Sequence, residues 1–150
     1  MPQLDALAPV PGPAITCATT TTYPGALASV PAARHVVRQL LRHSPRAGDA
    51  ELIAAELMSN AVLHTPSGAE GGTFTVTVRL GAGWARIEVF DLGEASWHSV
   101  LEDGPSAGGD LAPGYAESGR GLRMVAAIAD DCGRARSGAK GQTSWATVTW

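Results

Sequence analysis

The sequence predicts an α+β fold in two layers, a sandwich with helices on one face of a mixed, mostly antiparallel sheet. Three observations carry this. TFTVTVRL at 73–80 and WARIEVFD at 84–91 alternate with the period of half-buried strands. The stretches 29–43 and 51–64 instead repeat their apolar residues at helical spacing. A third helical pattern at 119–133 and short strand candidates at 134–137 and 143–150 close the chain.

The 150 residues, 45% of them hydrophobic, suit one compact domain over 14–150. Residues 1–13 carry four prolines and read as a flexible leader. ITCATTTTY at 15–23 is rich in β-branched residues and predicts a strand ending at Pro24-Gly25. In the first helix Ser29 is the expected N-cap, Pro31 lies in the first turn, and Val36, Val37, Leu40 and Leu41 recur at helical spacing. SPRAG at 44–48 breaks it, and Asp49 is the expected cap of the second helix, which stops near Thr65-Pro66-Ser67-Gly68. In the hairpin that follows, Phe74, Val76, Val78 and Leu80 share a face, and Gly81-Ala82-Gly83 forms the turn. Asp91 has the parity of Ala85, Ile87 and Val89, so its carboxylate is expected to face the helices. Leu92–Ser118 is then a run of 27 residues without sustained periodicity, a length that in compact domains is usually functional or disordered.

Composition excludes several classes. With 11 Lys and Arg against 14 Asp and Glu, a formal charge of −3 and few aromatics, nucleic-acid binding is not expected. No run reaches the roughly 20 apolar residues of a membrane helix. Cys17 and Cys132 match no metal or redox spacing and read as small buried thiols of a reduced, cytoplasmic protein. Trp84, Trp97, Trp145 and Trp150 read mainly as packing, with Trp97 a candidate partner contact.

Chemistry concentrates in ELIAAELMSNAVLH, 51–64. Glu56, Asn60 and His64 stand four residues apart, and each step turns the helix only about 40°, so the three form one slanted row. Leu52, Ile53, Leu57 and Leu63 are expected on the same side, which places the row in an apolar stripe where polar groups need partners. Any one of them alone is explained by a satisfied core polar group; three in register point to a ligand site. The row joins the inward Asp91, followed by Gly93, and the glycine-flanked helix start Ser118-Gly119-Arg120-Gly121. A helix N-terminus offers unpaired N–H groups to phosphate, and glycines let backbone approach closely. A strand-end carboxylate accepts from an amino group such as that of adenine. An amide oxygen suits Mg²⁺, and a glutamate beside it can orient or deprotonate a hydroxyl. The set describes a nucleoside triphosphate pocket, although a Gly-Arg-Gly or an Asp-x-Gly by itself is more often an ordinary helix start or turn.

From about residue 21 to 150 the chain resembles the Bergerat-fold (GHKL) ATPases, and within them the small anti-sigma factor serine kinases. Glu56-xxx-Asn60-Ala61-xx-His64 resembles their N box, Asp91-Leu92-Gly93 their first glycine box, and Glu117-Ser118-Gly119-Arg120-Gly121-Leu122 their second. The resemblance implies a histidine kinase-like ATPase domain that binds ATP and Mg²⁺. Asn60 would bind the Mg²⁺ and Asp91 the adenine amino group. Gly93 and Ser118 to Leu122 would complete the nucleotide site, with Gly119 and Gly121 at the phosphates, and Glu56 would be the general base. Residues 94–118 would form a lid, and Thr143 would back Asp91. His64 is either support near the metal or a buried imidazole bonded to a backbone carbonyl; Arg120 meets a phosphate or pairs with Glu117. Two departures stand out. The first box has Glu94-Ala95 in place of a closing glycine, which predicts weaker phosphate binding, and KGQTSW replaces a Gly-Lys-Thr-like run.

The function implied is Mg-ATP-dependent phosphorylation of a serine or threonine on an anti-anti-sigma-like partner. The alternative is a non-catalytic, nucleotide-responsive module that sequesters a sigma factor or another regulator. Relatives of this size are often homodimers. A sensor histidine kinase is disfavoured, since no phosphoacceptor or dimerisation helix fits in 150 residues.

Overall fold

A computed structural model describes residues 14–93, 113–136 and 141–150, with 113–119 described as backbone. Its strands are β1 (Cys17–Pro24), β2 (Thr73–Gly81), β3 (Trp84–Asp91), β4 (Asp131–Arg136) and β5 (Gln142–Thr149). Its helices are α1 (Val30–Leu40), α2 (Ala47–His64) and α3 (Pro113–Ile128), with 3₁₀ turns at Leu27–Ser29 and Pro66–Gly68. The sheet order is β1-β2-β3-β5-β4, and every neighbouring pair is antiparallel, so among the described residues the sheet is not mixed.

Helix α2 organises the core. Ala50, Ile53, Ala54, Leu57, Met58 and Ala61 are buried against the inward residues of β2, β3 and β5, with Val37 and Leu41 from the α1 side and Leu122 and Val125 from α3. Burial of this kind contributes about 25 cal/mol per Å² of apolar surface. The expected stripe is corrected at two positions, since Leu52 and Leu63 are 40% and 59% exposed. Alanines fill part of the buried arc instead. The polar row therefore crosses the boundary of that arc: Glu56 and His64 are half-buried, and Asn60, at 4% exposure, is inside it.

Other expectations shift as well. Ser29 occupies the N-cap position of α1 but makes no side-chain capping bond. Helix α2 starts before Asp49, with Arg46 at its N-cap, so Asp49 lies in the first turn. Helix α3 begins at Pro113, so 113–118 is not loop, and it ends at Ile128 because Asp131–Arg136 pairs with β5. Strands β3 and β5 are buried on both faces. On the face away from the helices the Arg86 guanidinium lies 4.4 Å over the Trp145 ring and donates to Thr147 Oγ1 at 3.0 Å. Trp84 and Trp145 are packed as expected, lying against Gly81 and Gly133, whereas Trp150 is 46% exposed, and of the two thiols expected to be buried Cys132 is half-buried and Cys17, on the edge strand β1, is exposed. The leader 1–13, Glu94, Ala95, Trp97 and the expected lid up to residue 112, and Lys140 of the last turn lie outside the described residues. No described helix is long and apolar enough to cross a membrane.

Arg46 ties three elements together. Its Nε donates to Asp49 Oδ2 at 2.6 Å, Nη1 to Asp130 Oδ2 at 3.1 Å and to the Thr149 carbonyl at 3.0 Å, and Nη2 to the Ile128 carbonyl at 2.7 Å. One planar fork thus anchors the start of α2 to the end of α3 and the end of β5. Arg46→Ala is expected to lower stability in urea unfolding by about 2 kcal/mol, since two carbonyls and two carboxylates lose a shared donor. Arg46→Lys should recover less than half of this, because one ammonium cannot reach all four acceptors.

Candidate functional site

The site is assembled where α2, the end of β3 and α3 meet. Asp91, on the face toward the helices, is 2% exposed. Its Oδ1 accepts from the Gly93 N–H at 3.1 Å and its Oδ2 from Gln142 Nε2 at 3.3 Å. Burial pushes its carboxyl up to about 6, against the opposing effects of Gly93, Gln142 and the Arg134 charge. The carboxylate faces inward as expected, and its side-chain donor is a residue the sequence did not single out. Gln142 stands opposite Asp91 in the β3–β5 register, and Thr143 stands opposite Phe90, so regular alternation puts Thr143 on the other face. The assignment of Thr143 behind Asp91 is corrected to Gln142.

Gly93 is held from below. A Cβ there would lie 2.1 Å from Pro66 Cδ, and the Leu92 N–H donates to Ser67 Oγ at 2.9 Å. Ser67 is fully buried, and its own N–H donates to Thr65 Oγ1 at 3.1 Å while Thr65 Oγ1 donates to the Ala61 carbonyl at 2.6 Å. The Thr-Pro-Ser-Gly segment, legible in the sequence only as a helix stop, thus fastens the Asp91–Gly93 turn to the end of α2. The Ser67 carbonyl is enclosed in turn, since a Cβ on Gly25 or Gly72 would fall within 1.5 or 2.2 Å of it.

Glu56 meets α3. A Cβ on Gly121 would lie 2.2 Å from Glu56 Oε2, so only glycine lets the carboxylate rest against that backbone. Gly121 and Leu122 are buried, and Arg120 is exposed. The expectation that Ser118-Gly119-Arg120-Gly121 opens a helix is corrected: these residues lie inside α3, whose first turn is at Pro113. Their amides belong to a helix interior, so in this conformation phosphate would not meet a free helix N-terminus there.

Asn60 supplies a further observation. Its Nδ2 is buried with no hydrogen-bond partner. Such a group costs about 1–3 kcal/mol when left unpaired. A half-turn about its last torsion exchanges Nδ2 and Oδ1, so the position offers either a donor or an oxygen to a ligand. His64 is held below its ordinary value by burial, which favours the neutral imidazole. Among the described residues no cluster of three His, Cys, Asp or Glu side chains could hold a metal ion. A Mg²⁺ here would rest on the Asn60 oxygen and on oxygens of the nucleotide and water, a donor set suited to that ion. The orphaned amide, the buried Asp91 carboxylate, which makes no ion pair among the described residues, and the close-packed glycines fit a nucleotide with its metal.

Over residues 23–148 the chain matches the family model described as histidine kinase-like ATPase domain. No curated protein matches it. Among solved structures it is similar to a chain of the SiaB-SiaC complex from Pseudomonas aeruginosa, with 15% identity, a TM-score of 0.62 and 89% of each chain covered. At that identity the likeness is one of fold.

Proposed function

We propose, from the premise that the chain belongs to the histidine kinase-like ATPase domain family, that it binds Mg-ATP and transfers the γ-phosphoryl group to a serine or threonine hydroxyl of an anti-anti-sigma-like partner. The observation that carries the catalytic part is Glu56, whose carboxylate lies against Gly121 one helical turn from the unpartnered Asn60 amide. Asp91 accepts from the adenine amino group. Bound Mg²⁺ would neutralise phosphate charge. As the hydroxyl oxygen bonds to the γ-phosphorus, the bond to the ADP oxygen breaks, ADP departs, and Glu56 takes the hydroxyl proton. The similar solved structure is a complex of two proteins, which supports a protein rather than a small molecule as acceptor.

Labelled ATP offered with candidate partner proteins tests this. Transfer by the native chain that falls by at least about 100-fold in Glu56→Gln, with ATP affinity kept, is the expected result. ATP binding with no transfer to any partner would instead support the non-catalytic module that sequesters a sigma factor, the reading favoured by Ala95 in place of a glycine.

Gly121→Ala separates chemistry from folding. In a helix interior alanine is favoured by about 1 kcal/mol, so stability should not fall. The new methyl displaces Glu56, a flexible side chain that can move away. Transfer is expected to drop by on the order of 100-fold, as for a base misplaced by about an ångström, while ATP affinity from calorimetry changes little.

A further inference from the structure

Asp91 and Gln142 are paired across β3 and β5, and each is 2% exposed. A carboxamide can present either its NH₂ or its oxygen to a neighbour. The third member decides which. From β4, Arg134 Nη1 reaches to 3.5 Å from Gln142 Oε1. A guanidinium only donates, so the Gln142 oxygen faces Arg134 and its NH₂ faces Asp91. Asp91 then accepts on both oxygens, from Gln142 and from Gly93, and keeps lone pairs rather than a proton for whatever lies in front of it.

We infer that Arg134 and Gln142 set the polarity of base recognition: they hold Asp91 as an acceptor-only carboxylate and so select a purine with an amino group at C6 over one with a carbonyl. The inference rests on the nucleotide-binding reading and goes beyond it in assigning base selectivity to two residues outside the motifs. A 6-oxopurine would place its oxygen lone pairs against those of a buried carboxylate, with no donor between them, and sites built for a substrate N–H reject such analogues strongly. The two side chains matter because burial alone favours the neutral acid, which would donate to a carbonyl. The Gln142 N–H and the Arg134 charge oppose that protonation. Arg134 is a positioning residue, acting through Gln142.

Competitive titration of the full chain with ATP and ITP, which differ in the base by amino against carbonyl at C6, provides the test. The native protein is expected to prefer ATP by at least about 100-fold. Arg134→Met should reduce that ratio roughly tenfold, and Arg134→Lys, which restores a donor to the Gln142 oxygen, should recover most of it. Gln142→Glu should reduce it furthest, because the new carboxylate pairs with Arg134 and leaves Asp91 holding a proton it can donate. Loss of packing alone would weaken both nucleotides equally and leave the ratio unchanged. An unchanged ratio in Arg134→Met and Gln142→Glu, with selective ATP binding by the native chain, overturns the inference and leaves the nucleotide reading intact. Binding of neither nucleotide by the native chain overturns both.

Discussion

Asp91→Asn is expected to make the free protein more stable at pH 7.5 by about 1–2 kcal/mol while lowering ATP affinity more than about 100-fold. The stability gain follows from the direction of the carboxyl shift. The folded state holds the Asp91 proton up to about pH 6, against an ordinary value of 3.8. Between those values the folded protein binds more protons than the unfolded one, so this group's contribution falls as pH rises through the window and its full penalty applies above it. Two units correspond to about 3 kcal/mol, and the neutral amide avoids that penalty. Part of the gain is lost because the new NH₂ meets the Gln142 NH₂, which Arg134 holds in place. Urea unfolding at pH 4 and at pH 7.5 checks the sign: the variant should exceed the native protein at the higher pH and fall somewhat below it at the lower, where the charge penalty is nearly gone and the clash of the two amides remains. A variant less stable at both would show that Asp91 is not held under strain in the free protein.

Gly25→Ala is expected to cost more than about 3 kcal/mol, the largest stability loss of any glycine-to-alanine change among the described residues. Its Cβ would fall 1.5 Å from the Ser67 carbonyl oxygen and 2.6 Å from the carbonyl carbon, atoms of backbone that cannot swing aside. Because Ser67 Oγ holds the Leu92 N–H, the displacement reaches the turn that carries Asp91 and Gly93. Nucleotide affinity should fall even at temperatures where the variant is folded. Gly48→Ala is the control: it lies in the first turn of α2 with nothing within 4 Å of the added carbon, and should be neutral or stabilising by up to about 1 kcal/mol. Thermal unfolding of the pair, read beside calorimetry with ATP, distinguishes a local clash from a general intolerance of added methyls.

The hairpin at 73–91 is legible in the sequence because its signal is local: a two-residue period fixes which side chains face inward, and Phe74, Val76, Val78, Ile87 and Val89 are buried as that period requires. Asn60 and Asp91 are legible for the same reason, as polar residues at positions whose phase is inward. Long-range features are not. Ser67 lies in a Thr-Pro-Ser-Gly run whose local meaning is only that a helix ends, and its bond to Leu92 spans 25 positions. Gln142 is one residue from Thr143, and a strand shifted by one residue turns every side chain to the opposite face, so motif likeness selected the wrong neighbour. Arg46 reads as an ordinary cation in a polar break until the ends of α3 and β5 are placed around it. The start of α3 is obscured by Gly114, Gly119 and Gly121, which weaken the helical signal although the backbone is helical from Pro113. Leu52 and Leu63 mislead in the opposite sense, since apolar character alone does not distinguish the rim of a helix face from its centre.

The position of β5 has a consequence for how the protein comes into being. It follows β4 in sequence yet is inserted between β3 and β4. During synthesis β1, β2 and β3 can pair as soon as they emerge, but β4 has no neighbour in the sheet until β5 follows it. Pairing of β3 with β5 joins positions as far apart as Trp84 and Thr149, a closure that is slow relative to hairpin formation. Asp91 therefore gains Gln142 only after β4 and the start of β5 have been synthesised. A nascent chain halted before β5 would leave the β3 edge unpaired and the buried Asp91 carboxylate without its Gln142 donor.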